Sequence, residues 1–150
     1  MTTVAAPLAG AVIALADVPD PVFSAQMVGG GVAIRPSART GVVDVAAPVA
    51  GRLLKLHHHA FVVLTDDTKG VLVHVGIDTV QMKGNGFELV ATEGDTVSAG
   101  DVVVRYSPEA VVAAGYDDVC PVVLMDSAAD SVNASTVGTD VTPGDTVFEI

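Results

Sequence analysis

The run His59-Ala60-Phe61-Val62-Val63-Leu64-Thr65, the cluster Asp66-Asp67-Thr68-Lys69-Gly70 and the run Val71-Leu72-Val73-His74-Val75 together decide the fold class. Two apolar segments flank a polar stretch that ends in Gly, which is the signature of a β-hairpin and not of a helix. Val dominates both segments, and its branched Cβ fits a pleated strand better than a helical turn. A loop of residues 66–69 would pair Thr65 with Gly70, so facing positions would sum to an odd number, as 59 and 74 do. On that register His59 and His74 share one face as diagonal neighbours, with Cα atoms roughly 7–8 Å apart. Phe61 and Val63 follow His59 on its side and Leu72 accompanies His74, so the two imidazoles sit among apolar side chains. Such a pair lies within joint reach of one phosphate-sized group. It needs a partner, which a ligand, a metal or a phosphoryl group supplies.

The same pattern runs through the chain. Strands are expected at 11–15, 32–35, 41–46, 52–57, 59–65, 71–75, 87–91, 102–106, 119–125 and 146–150, separated by Gly, Pro, Asp and Ser. Many short strands at close spacing describe an all-β, antiparallel β-sandwich or barrel-like fold. Two internal echoes point to duplicated hairpin units: Ala6-Pro7-Leu8-Ala9-Gly10 returns as Ala47-Pro48-Val49-Ala50-Gly51, and Gly94-Asp95-Thr96-Val97 returns as Gly144-Asp145-Thr146-Val147. Gly100-Asp101-Val102-Val103 is a looser third copy of the second echo. One short helix is marked by Ser107 as cap, Pro108 at its first position, Glu109 in its first turn and Gly115 at its end. Residues 127–134 are expected to form a second helical turn.

At 150 residues the chain fits one domain, 1–150. Half of it is apolar and 17% charged, with Val alone occurring 30 times, so a core is assured and disorder excluded. The formal charge of -11, with no basic cluster, excludes a nucleic-acid partner and favours a basic protein face. A single Cys120 rules out an internal disulfide and reads as a small buried hydrophobe. The apolar stretch 4–16 imitates a signal peptide. It lacks a preceding cation, and Pro7 and Gly10 interrupt it, so a cytoplasmic protein without membrane insertion is expected.

One further run identifies a relative. Val73-His74-Val75-Gly76-Ile77-Asp78-Thr79-Val80 followed by Lys83-Gly84-Asn85-Gly86-Phe87 closely resembles the glucose-type enzyme IIA domain of the bacterial phosphoenolpyruvate-dependent sugar phosphotransferase system. Asp17-Val18-Pro19-Asp20-Pro21-Val22-Phe23, Val28-Gly29, Ala47-Pro48-Val49, His59-Ala60-Phe61 and Glu93-Gly94-Asp95 match in order as well, so the likeness spans nearly the whole chain. The resemblance implies that His74 accepts the phosphoryl group as tele-phosphohistidine and that His59 is its phosphate-stabilising neighbour. It implies the histidine phosphocarrier HPr as donor and a sugar-specific enzyme IIB as acceptor, with regulated permeases or kinases as further partners. It calls for no cofactor and no metal; zinc on His59 and His74 would be adventitious. Val22, Phe23, Met27, Val28, Phe61 and Val80 are implied as an apolar docking surface with Asp20 and Asp78 at its rim. Asp78 is also placed to cap the turn that follows Ile77.

The chain departs from enteric relatives two places before the His-Ala-Phe histidine, where His57 replaces a Thr, and the segment 51–59 is shorter. His57 and His58 read as solvated residues of a hairpin end. Two other classes share part of this vocabulary. His57-x-His59 with His74-x-x-x-Asp78 resembles the ligands of lysostaphin-type zinc endopeptidases, although the order is reversed. Met82-Lys83 with the Gly-Asp turns resembles biotinyl and lipoyl carriers, although Lys83 precedes Gly84-Asn85-Gly86 and not a hairpin apex.

Overall fold

The computed structural model describes residues 2–150. Its elements in chain order are β1 (Thr3–Ala5), β2 (Gly10–Ala14), α1 (Pro21–Ser24), β3 (Gly29–Pro36), β4 (Val43–Ala46), β5 (Gly51–Leu56), β6 (Ala60–Leu64), β7 (Gly70–His74), β8 (Phe87–Leu89), β9 (Thr96–Val97), β10 (Val102–Tyr106), α2 (Pro108–Ala113), β11 (Cys120–Met125), β12 (Asp140–Val141) and β13 (Thr146–Glu149). An eight-stranded sheet runs β12-β2-β3-β11-β7-β6-β5-β9, a three-stranded sheet runs β4-β10-β8, and β1 pairs β13. Every pairing is antiparallel. The all-β expectation holds.

The sequence echoes bond to one another. Ala5 N–H donates to Pro48 O and Ala46 N–H to Pro7 O, each at 2.9 Å, so the two Ala-Ala-Pro segments cross as a reciprocal pair. Ala6 N–H donates to Asp145 O at 2.7 Å, and its counterpart Ala47 N–H donates to Asp101 O at 2.8 Å. The Gly-Asp turns share one design. Asp95, Asp101 and Asp145 each accept from the N–H three residues back, on Thr92, Ser98 and Thr142, at 2.8–3.0 Å. The Gly before each Asp stands near φ +95°, where a side chain would be strained. The large sheet is accordingly palindromic: β12, β2, β3 and β11 answer β9, β5, β6 and β7 from the opposite edge.

That sheet divides two apolar layers. Phe61, Val63, Val71 and Val73 point into the larger core with Val4, Leu8, Leu53, Val104 and Tyr106, all at most 1% exposed. The opposite face of β7, β11 and β3 packs Val123 and Ala33 against Leu15, Val18, Phe23 and Ile77. Alternation therefore sends Leu72 and His74 away from the main core and under α1.

Three strands, β1, β9 and β12, were not expected, nor was α1. They are too short to show a periodicity. α1 nonetheless carries a cap, because Asp20 Oδ1 accepts from Val22 N–H at 2.8 Å and Pro21 fills the first helical position. α2 forms as expected, with Ser107 Oγ accepting from Ala110 N–H at 3.2 Å. Residues 127–134 are irregular, with a turn at 129–130, and form no helix. Asp126 just before this stretch and Asp130 within it stand at φ +60° and +58°, in the left-handed region that a right-handed helix cannot contain.

Candidate functional site

The β6–β7 register differs from the expected one. Leu64 pairs with Gly70 and Ala60 with His74, so facing positions sum to an even number. The cause lies in Thr65. Its N–H donates to Lys69 O at 2.9 Å and its Oγ1 accepts from Lys69 N–H at 3.0 Å, while Thr68 adopts φ +64°. Thr65 thus belongs to a five-residue loop instead of the strand. By this register His59 faces Val75, and Val75 N–H donates to His59 O at 2.7 Å. Strand alternation would then turn His59 toward the core, on the side of Phe61. It escapes because it lies outside β6, in the tight β5–β6 turn closed by His57 N–H donating to Ala60 O at 2.8 Å. The shared-face argument from parity is therefore wrong, yet the rings meet: His59 and His74 lie 5.1 Å apart, edge to face at 75°.

His74 is held by its own loop. Its Nδ1 lies 2.5 Å from Gly76 O, and a carbonyl only accepts, so Nδ1 carries the proton and Nε2 keeps a lone pair. Gly76 stands at φ +77°, and a Cβ there would come within 2.5 Å of Thr79 Cγ2 and 3.0 Å of Asp117 O. Buried Thr79 donates Oγ1–H to Val75 O at 2.6 Å, and Ile77 N–H donates to Asp117 O at 2.9 Å. Asp117 is held in turn by Val119 N–H at 2.8 Å and Arg35 at 3.3 Å. Gly76, Thr79 and Asp117 were not singled out from the sequence as site residues. The Gly and the β-hydroxyl residue following the His were the available signals for the first two.

Burial keeps His74 neutral, lowering its pKa against opposing contributions from Gly76 O, Asp20 and Asp78. The His59 pKa falls from 6.5 to about 4, first through burial and then through proximity to His74, His57 and His58. The site thus presents two uncharged imidazoles at neutral pH. Phe23 also packs its ring against that of His74, edge to face at 61° with centroids 5.1 Å apart.

The expected docking residues divide. Val22, Met27 and Val80 are exposed, Met27 by 73%, and Val28 is half-buried beside Leu72 in the smaller apolar layer. Phe23 is 6% exposed and serves as the wall of the His74 pocket. Phe61 is a correction: it is 0% exposed and points into the main core, because the true register places it opposite Val73, so it contributes no surface. Asp20 has its carboxylate engaged in the α1 cap. Asp78 occupies the cap position of the 3-10 turn Thr79–Met82 but makes no side-chain cap bond, its backbone being left-handed at φ +60°.

Among the described residues, no group of three or more His, Cys, Asp or Glu side chains is placed to hold a metal ion. His57, His59, His74 and Asp78 thus do not assemble the peptidase shell. Lys83 follows the 3-10 turn Thr79–Met82 and is not at a hairpin apex, so the swinging-arm geometry is absent there. Cys120 is wholly buried, and desolvation raises its thiol to about 12. No helix among the described residues is long and apolar enough to cross a membrane.

The chain is similar to known proteins over most of its length. The model of the phosphoenolpyruvate-dependent sugar phosphotransferase system EIIA 1 family matches residues 2–129. The chain is 39% identical over 146 residues to the PTS system glucose-specific EIIA component of Bacillus anthracis, covering 96% of this chain and 86% of that protein. It is 38% identical over 125 residues to the component of the same name from Buchnera aphidicola, covering 82% and 75%. Among solved structures, glucose permease IIA from Mycoplasma capricolum superposes with a TM-score of 0.83 at 34% identity, covering 97% of this chain and 93% of that one.

Proposed function

Since the chain belongs to the EIIA 1 family of the phosphoenolpyruvate-dependent sugar phosphotransferase system, we propose that it carries a phosphoryl group on Nε2 of His74, taken from HPr and passed to a sugar-specific enzyme IIB. The observation that carries this reading is the Nδ1–H bond of His74 to Gly76 O, which leaves Nε2 unprotonated beside a second neutral imidazole.

The steps balance without a proton transfer. The Nε2 lone pair attacks the phosphorus of the donor's phosphohistidine, the new N–P bond forms as the donor's N–P bond breaks, and the donor ring keeps the released electron pair. Positive charge develops on the His74 ring. The carbonyl of Gly76 accepts a stronger hydrogen bond from Nδ1–H as it does so, and the nearby charges of Asp20 and Asp78 favour the same state. His59 donates an N–H to a phosphoryl oxygen, steadying the group without reacting. Phe23 and the apolar residues around it limit water at the phosphorus. Transfer to enzyme IIB is the same displacement in reverse.

Val22, Met27, Val28 and Val80 are proposed to dock both partners, with Asp20 and Asp78 meeting basic side chains at the rim. The chain has the character of a cytoplasmic carrier for glucose-type uptake. The test is incubation with phosphoenolpyruvate, enzyme I and HPr. One acid-labile, alkali-stable phosphoryl group is expected per chain, absent from His74→Ala, and a modified His74→Ala protein would refute the assignment.

A further inference from the structure

His57 and His58 take no part in these steps, yet both are engaged. The His57 ring lies 5.7 Å from that of His59 with 25° between the planes, a stacked pair. The His58 ring lies over the backbone of Gly84, where an added Cβ would come within 3.1–3.2 Å of the ring's Cγ, Cδ2 and Nδ1. Both remain open to solvent on their outer sides.

These contacts answer a question that the register raises. The β6–β7 ladder gives His59 no reason to face His74, since the position opposite Val75 would point toward the core. Among the described residues the sole imidazole hydrogen bond is that of His74 with Gly76, so no hydrogen bond orients the His59 ring. A turn imidazole free about χ1 and χ2 would sample several rotamers. A stacked plane on one side and an anchored turn on the other remove that freedom.

We propose that His57-His58-His59 acts as a unit, His58 seating the β5–β6 turn on the Gly84 backbone and His57 forming the shelf that holds the His59 ring edge-on to His74. His57 and His58 are thereby positioning residues for phosphoryl transfer. The inference deepens the function proposed above and rests on it for its kinetic part. The shelf works through an aromatic plane, so its role at residue 57 belongs to any flat ring of similar size. Displacing a group that must meet a phosphoryl oxygen by a fraction of an ångström lowers the rate even though the fold is intact.

The test uses His57→Ala, His57→Phe and His58→Ala in the full chain, with two measurements. Proton NMR reads the contact between the His59 and His74 rings, and rapid quench reads transfer from the phosphorylated chain to enzyme IIB. His57→Ala should lose the ring contact and slow transfer by about tenfold. His57→Phe should restore both, and His58→Ala should weaken both in the same direction. Retention of the ring contact and the parental rate in His57→Ala overturns the proposal, as does failure of His57→Phe to restore them. If the parental chain accepts no phosphoryl group, the function proposed above fails, while the ring contact still decides the role of the shelf.

Discussion

Gly76 shows how much of the site depends on one backbone conformation. Its carbonyl fixes the His74 tautomer, and its φ of +77° beside Thr79 leaves no room for a side chain. Gly76→Ala is expected to lose about 1–3 kcal/mol of stability from left-handed strain, to move the carbonyl off Nδ1 and to slow phosphorylation. Denaturation and 15N NMR of the His74 ring check both effects; an unchanged tautomer with normal phosphorylation would refute the link. His59 makes the second residue-scale prediction. Its folded pKa of about 4 lies below the ordinary 6.5, so the unfolded chain binds more protons between those values. Its contribution to stability is complete above pH 6.5 and is lost as pH falls toward 4. The melting temperature of the parental chain should therefore drop more steeply across that window than that of His59→Gln. At this scale the expectation that the His59 and His74 rings come together holds, while the register expected to bring them together does not. The hairpin register turned on Thr65, whose backbone N–H and side-chain Oγ1 both bond to Lys69, lengthening the loop in a way invisible to counting.

Among the elements, α1 is the least self-sufficient. Four residues cannot hold a helix in water, yet this one places Phe23 against His74. Beyond its cap it is tied to the far end of the chain: Gln26 Nε2–H donates to Asp130 Oδ1 at 2.9 Å, and Asp130 N–H donates to Gln26 Oε1 at 2.8 Å. Gln26→Glu sets a carboxylate against a carboxylate and should cost about 1 kcal/mol, with faster hydrogen exchange in residues 22–30 and 126–131. Adding Asp130→Asn restores a donor and should recover most of the loss; an additive double mutant would show that the two groups do not cooperate. Legibility at this scale follows element length. Val-rich strands such as β10 and β11 declared themselves through runs of β-branched residues, and α2 through Ser107-Pro108. Two-residue strands such as β9 and β12 exist only because a neighbouring strand offers hydrogen bonds, which no local pattern encodes.

For the whole molecule, on the function proposed above, the charge of -11 and the carboxylates of Asp20 and Asp78 near His74 would steer a basic partner. Association with HPr should slow by about tenfold between low and high salt, while transfer within the preformed complex should change little. Stopped-flow and rapid-quench measurements separate the two, and a salt-insensitive association rate would argue against steering. The duplication was legible from two short echoes, because equivalent turns need the same Gly and Asp. The palindromic order was not, since it depends on which copies lie side by side. That order has a last consequence. Both margins of the eight-stranded sheet are two-residue strands, β12 and β9, paired with Gly10–Ala11 of β2 and Gly51–Arg52 of β5, so each edge offers a foreign chain only a short, stepped ladder to join. Visitors are left to approach over the face and depart again, and crowding in a busy cell gives this sheet little opportunity to grow into a fibre.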